Sequence, residues 1–463
     1  MQSATQKTIS TINPSNGNEI KSYPLMSEDQ VSQTIESCHK AFLSWRLQPL
    51  TERAEIIKKI GLELDKNKHQ LAELMTLEMG KPLSQAIEEV ELCVAICEFT
   101  AKQGPELLQD EKRRFGDGQT GYVSYCPIGV VYGIQPWNFP AYQVIRYSIA
   151  NLMAGNGVLL KHASNVTGSA MLLEDIYARA DLPAGLFAAL YIDHDQSDRV
   201  IEHELIRGVT LTGSPDAGRL IAEKAGKNLK KTVMELGSND AYIVLDDADI
   251  KNAVEQCVAG RVYNNGQTCV AAKRFIVVDS VYEQFKEHYV KAMQALTVGD
   301  PTSDDTDLGP MAREDLRDKL HDQVMNSVNK GAALLCGGEI PQTDGYYYPA
   351  TVLENVEPGQ PAYDDELFGP AASLIRAKDQ DDALRIANDS DFGLGGAIFT
   401  KNTELARELA TRYFDTGMVF INGFGVATPE MPFGGVKNSG YGREHGGFGM
   451  KEFVNIKSVM VMG

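Results

Sequence analysis

From Val130 to Leu245 the chain repeats one pattern, a short unbroken apolar run followed by a turn and a helical stretch. The runs are VVYGI from Val130, VLLK from Val158, ALYI from Ala189, VTLT from Val209, TVMEL from Thr232 and AYIVL from Ala241. Helical spacing fills gaps between them, over 167–179 and again from about Asp216 through Ala217, Leu220 and Ile221. Runs that are apolar throughout belong to strands covered on both faces, so the pattern argues for βαβ units around a buried parallel sheet.

A second α/β stretch runs from about Asp249 through FIVVDS to Leu296 and, past a Gly/Asp/Pro-rich segment at 299–310, to near Phe420. Upstream, Val31, Ile35, Phe42 and Trp45, then Ile56, Ile60 and Leu64, then Leu71 and Leu74 recur at three- and four-residue steps, which predicts a helical opening from Ser27 to about Lys102. Gly116 to Gly121 breaks that pattern, and Tyr122 to Cys126 reads as a strand running into Pro127. The tail after Ile421 is rich in glycine, including Gly434, Gly440, Gly442 and Gly447, and so needs unusual backbone angles. At 463 residues the chain exceeds one core and divides into two to three domains of about 150 residues each.

Charge and composition narrow the function classes. With 44 basic and 63 acidic residues the net charge is −19, a field that repels phosphate backbones and anionic lipid, so neither nucleic acid nor membrane is an expected partner. The first twenty residues are polar and no run of about 18 apolar residues occurs, so a cytoplasmic location is expected. Seven Cys without a CxxC argue against a disulfide framework, and eight His without an HxxxH pair argue against a metal. Cys93 and Cys97, four apart in a helical segment, read as packing residues.

Several segments carry chemistry. Gly116-Asp117-Gly118-Gln119-Thr120-Gly121 fits GxGxxG, but it follows charged EKRRF and precedes a strand, whereas a dinucleotide fingerprint sits between a strand and a helix. It reads as a plain turn. Thr212-Gly213-Ser214 closes a strand and opens a helix, where free N–H groups and the helix dipole suit a pyrophosphate, or where Ser214 simply caps the helix. Cys269, in Asn264-Asn265-Gly266-Gln267-Thr268-Cys269, lies in a polar loop. It is a nucleophile if its surroundings favour thiolate below the usual pKa of about 8.5, and an inert loop cysteine otherwise. Glu235 ends a buried-looking strand, where desolvation raises a carboxyl toward the range of a general base, or where it is simply a capped carboxylate. Asn138, within Pro136-Trp137-Asn138-Phe139-Pro140, offers an amide to an oxyanion, or merely occupies a proline-bracketed turn.

Together with Glu366-Leu367-Phe368-Gly369-Pro370 and the glycine-rich stretch Pro432 to Gly440, these segments in this order resemble the aldehyde dehydrogenase superfamily over nearly the whole chain. The segments LKHASNVTG and Ala271-Ala272-Lys273-Arg274-Phe275 look most like bacterial succinate-semialdehyde dehydrogenases. The resemblance implies an α/β fold with a modified Rossmann cofactor domain (1–109 and 129–236), an α/β catalytic domain (237–430) and a small β oligomerisation element (110–128 and 431–463). It also implies a homodimer or homotetramer. The implied activity is NAD- or NADP-dependent oxidation of an aldehyde to a carboxylate, with Cys269 as nucleophile, Asn138 and the Cys269 N–H as oxyanion donors, and Glu235 as the base that activates water.

Cofactor contacts carried over in the same way are Ile134, Trp137, Lys161, Ser164, Gly213, Ser214, Leu236, Glu366 and Phe368, with no metal. Ser164 stands where NAD-restricted relatives place a Glu, so NADP is expected to be usable, unless Ser164 only caps the next helix. Arg146, eight residues after Asn138, matches the arginine that succinate-semialdehyde dehydrogenases turn to the substrate carboxylate, an expectation set against a plain ion pair. Three positions depart from relatives: Tyr147 replaces a relay lysine, Tyr263 a second substrate arginine, and Gly237-Ser238-Asn239 a Gly-Gly-Lys. Ala271 stands where some members carry a second redox cysteine, so the thiolate-prone Cys269 has no local disulfide partner. The rival readings are a dehydrogenase of another semialdehyde or aliphatic aldehyde, and a cysteine esterase using Cys269 and Glu235.

Overall fold

The computed structural model describes residues 7–462. The apolar runs form two parallel sheets. The first has six strands in the order Gly440–Tyr441, Lys231–Glu235, Ile206–Thr212, Val130–Gln135, Gly157–His162 and Phe187–Ala189, all parallel except the two-residue edge strand from the tail. The second has seven, in the order Ala333–Cys336, Thr351–Glu354, Ala371–Ala377, Arg274–Val278, Ala241–Val244, Gly396–Phe399 and Phe420–Ile421, with only Ala333–Cys336 antiparallel.

Both sheets are buried on both faces, as unbroken apolar runs require. Successive residues of one strand enter different cores: Val130 and Tyr132 pack with Leu159 and Val209, while Val131 packs with Val233 and Phe453. In the second sheet Tyr242 and Val244 face one cluster, Ala241 and Ile243 another.

The opening helices span Glu28–Trp45, Leu50–Lys66, Lys68–Met79 and Leu83–Leu107, and the last three pack on one side of the six-stranded sheet through residues such as Ile57, Ile60, Cys93 and Cys97. The GxGxxG segment is the turn of a hairpin between Glu111–Phe115 and Gln119–Pro127, with Gly116 and Gly118 at φ of 52° and 96°. The long arm of that hairpin pairs antiparallel with Val454–Val461.

One local expectation is corrected. The run ALYI is not the strand: the edge strand is Phe187–Ala189, because beyond Leu190 the chain turns away to Asp193, whose carboxylate caps the helix His194–Glu202. Ahead of the helices, where the sequence sets no structural expectation, Thr8–Ile12 and Glu19–Pro24 form a hairpin held by its backbone ladder rather than by an apolar pattern.

Candidate active site

The carboxyl ends of the six-stranded sheet face the seven-stranded unit across a cleft of about 540 Å³. Parallel sheets deliver their loops to this edge, which is where such folds bind ligands. Strand Val130–Gln135 delivers the turn 136–140 with Trp137 and Asn138, Ile206–Thr212 delivers Gly213 and Ser214, and Lys231–Glu235 delivers Glu235 and Leu236. Cys269, Glu366 and Phe368 come from the opposite wall. The edge of Trp137 meets Phe368 at 5.8 Å between ring centroids.

The Cys269 loop is held in an uncommon shape. Asn264, Asn265 and Gly266 run consecutively in left-handed conformation, at φ of 57°, 57° and 71°. Asparagine tolerates this region when its amide is bonded locally. Asn264 Nδ2 donates to Asn138 O at 2.8 Å and Gln267 O at 3.1 Å, while Asn265 Nδ2 reaches Gly80 O and Pro310 O. Gly266 is required for a second reason, since a Cβ there would fall 2.4 Å from the Gly369 carbonyl carbon. Asn138 Nδ2 donates to Gln267 O at 3.0 Å, which sets the amide beside the Cys269 loop. The Cys269 side chain is half-buried and lines the cleft, yet its low-dielectric surroundings push the thiol up to about 12, against the pull of Arg146 and Lys273. The expectation of a thiolate-prone residue is thus corrected: the resting group is the thiol, and a base must take its proton.

Glu235 lies under the glycine-rich tail. Gly440 pairs with it across the sheet edge, and a Cβ on Gly434, at φ of 149°, would sit 2.9 Å from Glu235 Oε1. Neither carboxylate oxygen has a hydrogen-bond partner among the described residues. Burial, first, and the neighbouring Glu444 hold this carboxyl well above the ordinary range, with Arg146 opposing them.

Arg146 is buried, 2% exposed, rather than open to a tunnel mouth. Its Nε pairs with Glu444, its Nη2 donates to Thr212 Oγ1 at 2.8 Å, and the rings of Tyr142 and Phe433 flank it at 5.2 and 4.8 Å. The ion pair weighed against the substrate role is therefore present, with a partner from the tail. Tyr147, in the place of the relay lysine, is turned into the core: its OH donates to Leu159 O at 3.1 Å, and a Cβ on Gly133 would meet its ring at 2.2 Å. Tyr263 stacks on Phe139 and donates to Glu88 at 3.2 Å.

The remaining positions divide between two cavities. Trp137, Gly213, Ser214, Leu236, Glu366 and Phe368 line the main cleft, and Ser214 caps the helix Pro215–Lys227 while staying exposed to it. The capping reading of that serine therefore holds, and its place on the cleft leaves it accessible. The absence of a side chain at Gly237 makes room for Glu366, because a Cβ would fall 2.4 Å from Glu366 Oε2. Ser238 N–H donates to Glu366 Oε1 at 3.0 Å. Lys161 and Ser164 instead line an adjoining hollow of about 560 Å³ with Lys7, His194 and Arg313. Ser164 is exposed there and its hydroxyl caps no helix, since helix Thr167–Arg179 begins after Val166 without a side-chain cap. Ile134 packs beneath Leu211, Leu236 and Ile221. A helix N-terminus, a carboxylate and a ring on opposite walls, and a cationic hollow beyond suit a dinucleotide.

Glu444, Lys273 and His445 were not singled out from the sequence, although all three are buried beside these groups. Burial holds His445 down to about 3, and its Nε2 lies 2.9 Å from Tyr142 OH. The signal for Glu444 was its position two residues after Gly442 in the tail; a charged residue amid glycines is packed against something. Among the described residues no group of His, Cys, Asp and Glu is placed to hold a metal, and no helix is long and apolar enough to cross a membrane.

The model of the aldehyde dehydrogenase family matches residues 1–459. The succinate semialdehyde dehydrogenase [NAD(P)+] of Escherichia coli K12 is 43% identical over 449 residues, which cover 97% of each chain. The succinate-semialdehyde dehydrogenase [NADP(+)] of Deinococcus radiodurans is 40% identical over 454 residues, covering 98% of this chain and 95% of the relative. Among solved structures, the succinic semialdehyde dehydrogenase of Streptococcus pyogenes in complex with NADP+ is similar at a TM-score of 0.96 and 36% identity, over 98% of this chain and 100% of that one. With motif order, two-sheet architecture and full-length similarity in agreement, the chain belongs to the aldehyde dehydrogenase family.

Proposed function

We propose that this enzyme oxidises succinate semialdehyde to succinate with NAD or NADP. The observation that carries the chemistry is a thiol and a fixed amide in one nucleotide-sized cleft, with an unpartnered buried carboxyl, Glu235, directly before Leu236 of its wall. Cys269 passes its proton to water in the open cleft as its sulfur attacks the aldehyde carbon, and the C=O electron pair moves onto oxygen to give the thiohemiacetal oxyanion. Asn138 Nδ2 and the Cys269 N–H hold the developing oxyanion, donors fixed before charge appears. A bound nicotinamide would supply the hydride acceptor needed to oxidise that adduct to a thioester. Glu235 then takes a proton from the water that hydrolyses the thioester, a task suited to a carboxyl raised by burial. Trp137, Ser214, Leu236, Glu366 and Phe368 hold the cofactor in the main cleft, Gly213 and Ile134 shape its floor, and Lys161 with Ser164 receives the ribose and a 2′-phosphate.

The substrate follows from the relatives named above and from Arg146, a buried guanidinium that Glu444 keeps charged against burial and whose charge acts on both Glu235 and Cys269. The Arg146–Glu444 pair favours one second reading, an aldehyde without a carboxylate, because Glu444 already answers that charge. Measuring reduced-nicotinamide formation with succinate semialdehyde, butanal and other semialdehydes, with each cofactor in turn, separates the two. Highest kcat/KM on succinate semialdehyde supports the assignment; preference for butanal overturns the substrate and leaves the chemistry.

We further infer a cytoplasmic homodimer or homotetramer. Supporting it, Val454–Val461 pairs on one side only and exposes Ile456, Val459 and Met460, an edge that a second copy would cover, and all seven cysteines are unpaired, which suits a reducing compartment.

A further inference from the structure

Lys273 lies four residues after Cys269, and none of the roles above uses it. Its side chain is 1% exposed. The ammonium donates to Cys269 O at 2.6 Å and to Thr268 O at 3.2 Å, and lies 3.2 Å from Glu366 Oε1. Three acceptors thus meet the three donors of one ammonium group.

The two carbonyls matter because of what shares their peptide planes. In a planar trans peptide the C=O and the next N–H point in opposite directions. The Thr268 carbonyl and the Cys269 N–H are therefore two ends of one unit. A cation on the carbonyl end orients that unit and draws electron density from the N–H, strengthening it as a donor to an oxyanion. The Cys269 carbonyl belongs to the next plane, so Lys273 fixes the backbone on both sides of the nucleophile. Glu366, the third acceptor, is also held by Ser238 N–H, which makes the lysine a tie between the cofactor wall and the nucleophile loop.

We propose that Lys273 is a positioning residue for both halves of the reaction, setting the Cys269 amide that receives the oxyanion and tethering the ribose-binding carboxylate of Glu366 to the nucleophile loop. The inference rests on the roles proposed above for Cys269 and Glu366. A lysine that merely braced a loop would affect stability alone, so the test reads quantities that bracing does not move.

Lys273→Met keeps length and removes charge; Lys273→Arg keeps charge and changes donor geometry. Three measurements apply to each: steady-state kinetics, NADP+ affinity of the resting enzyme by quenching of Trp137 fluorescence, and the pH dependence of Cys269 alkylation by iodoacetamide without cofactor. Lys273→Met is expected to lower kcat about tenfold or more, a fraction of the loss seen when an oxyanion donor is removed outright, with the aldehyde KM held within about twofold. NADP+ affinity should fall, and the alkylation profile should move to higher pH because a neighbouring cation is gone. Lys273→Arg should recover NADP+ affinity more than kcat. A folded Lys273→Met protein with parental kcat, NADP+ affinity and alkylation profile overturns the proposal. Should Lys273→Met fail to fold, Lys273→Gln takes its place, alone and combined with Glu366→Gln: a smaller effect of Lys273→Gln on NADP+ affinity in the Glu366→Gln background supports the tether, and additive effects overturn it. A parent enzyme that oxidises no aldehyde overturns the reading of Cys269 and Glu366 as well, whereas an active parent indifferent to Lys273 removes this inference alone.

Discussion

The two ends of the proposed cofactor site are built on opposite principles. At the catalytic end, Asn138, Glu235, Arg146 and Lys273 are all buried, and each but Glu235 is bound by named partners. At the far end, Ser164 is exposed, and Lys7, His194 and Arg313 border a hollow open to solvent. Buried polar groups are costly to disturb, because removing one leaves its partner unsatisfied, whereas an exposed hydroxyl exchanges its partner for water. On the proposed function, chemistry would be locked into the packing, and cofactor choice would rest on a few side chains that can change without harm to the fold.

The sharpest way to break that contrast is at the nucleophile. Cys269→Ala should lower turnover by at least about 10⁴-fold, the scale seen when a nucleophile is removed from a preorganised site, while NADP+ affinity persists; steady-state activity near the parent's would end the assignment. Glu235→Gln comes next, with a steady-state loss of about 10²–10⁴-fold, the usual contribution of a general base, and an acyl adduct trapped on Cys269 by mass spectrometry. In the parent, the pH profile of kcat carries the sign. A carboxyl raised by burial is protonated and idle at low pH, so activity should fall as pH drops through a midpoint above the ordinary Glu value of about 4.3, and Glu235→Gln should abolish that limb.

Arg146→Leu tests whether the buried end also recognises substrate. Losing a carboxylate partner in a desolvated site costs about 2–5 kcal/mol, which converts to roughly thirty-fold or more in kcat/KM for succinate semialdehyde, with butanal nearly unchanged. Equal losses on both aldehydes would assign Arg146 to Glu444 and the fold alone. Leaving Glu444 buried without its partner should also lower stability by about 3–5 kcal/mol, measured by denaturant unfolding. The smallest effect belongs to the open end: Ser164→Glu should weaken NADP about tenfold through a lost charge-assisted hydrogen bond and like-charge repulsion, leave NAD turnover close to the parent's, and leave the thermal midpoint unmoved. Undetectable NADP turnover in the parent would overturn this reading of the hollow.

The same contrast explains which parts of the site could be read in advance. Pro136 to Pro140, Glu235 and Cys269 announce themselves because each sits in a local pattern, a bracketed turn, a strand end or a polar loop, and local pattern survives in one dimension. Tyr147 was legible as a departure, but its placement was not: only the packing of helix Tyr142–Ala154 on strand Val130–Gln135, with Gly133 opposite its ring, turns it into the core. The medium around Cys269 is likewise invisible in the sequence. A loop of polar residues looks hydrated, yet Asn264, Asn265 and Gln267 spend their polar groups on Asn138, Gly80, Gly309, Pro310 and Ala312, leaving the thiol in dry surroundings.

By itself, the sequence determined the parallel sheets, because unbroken apolar runs can be satisfied only where both faces are covered, and it determined the order of the motifs. It determined that the tail needs left-handed backbone, since glycines cluster there. Tertiary structure alone decided that the tail folds back on Glu235, that Glu444 meets Arg146, and that Lys273 reaches two carbonyls and Glu366. These pairings join residues far apart in the chain, and a charged side chain carries no local mark of its partner. Which partner it finds is settled by which buried positions the packing brings within reach, where an unmatched charge is too costly to leave.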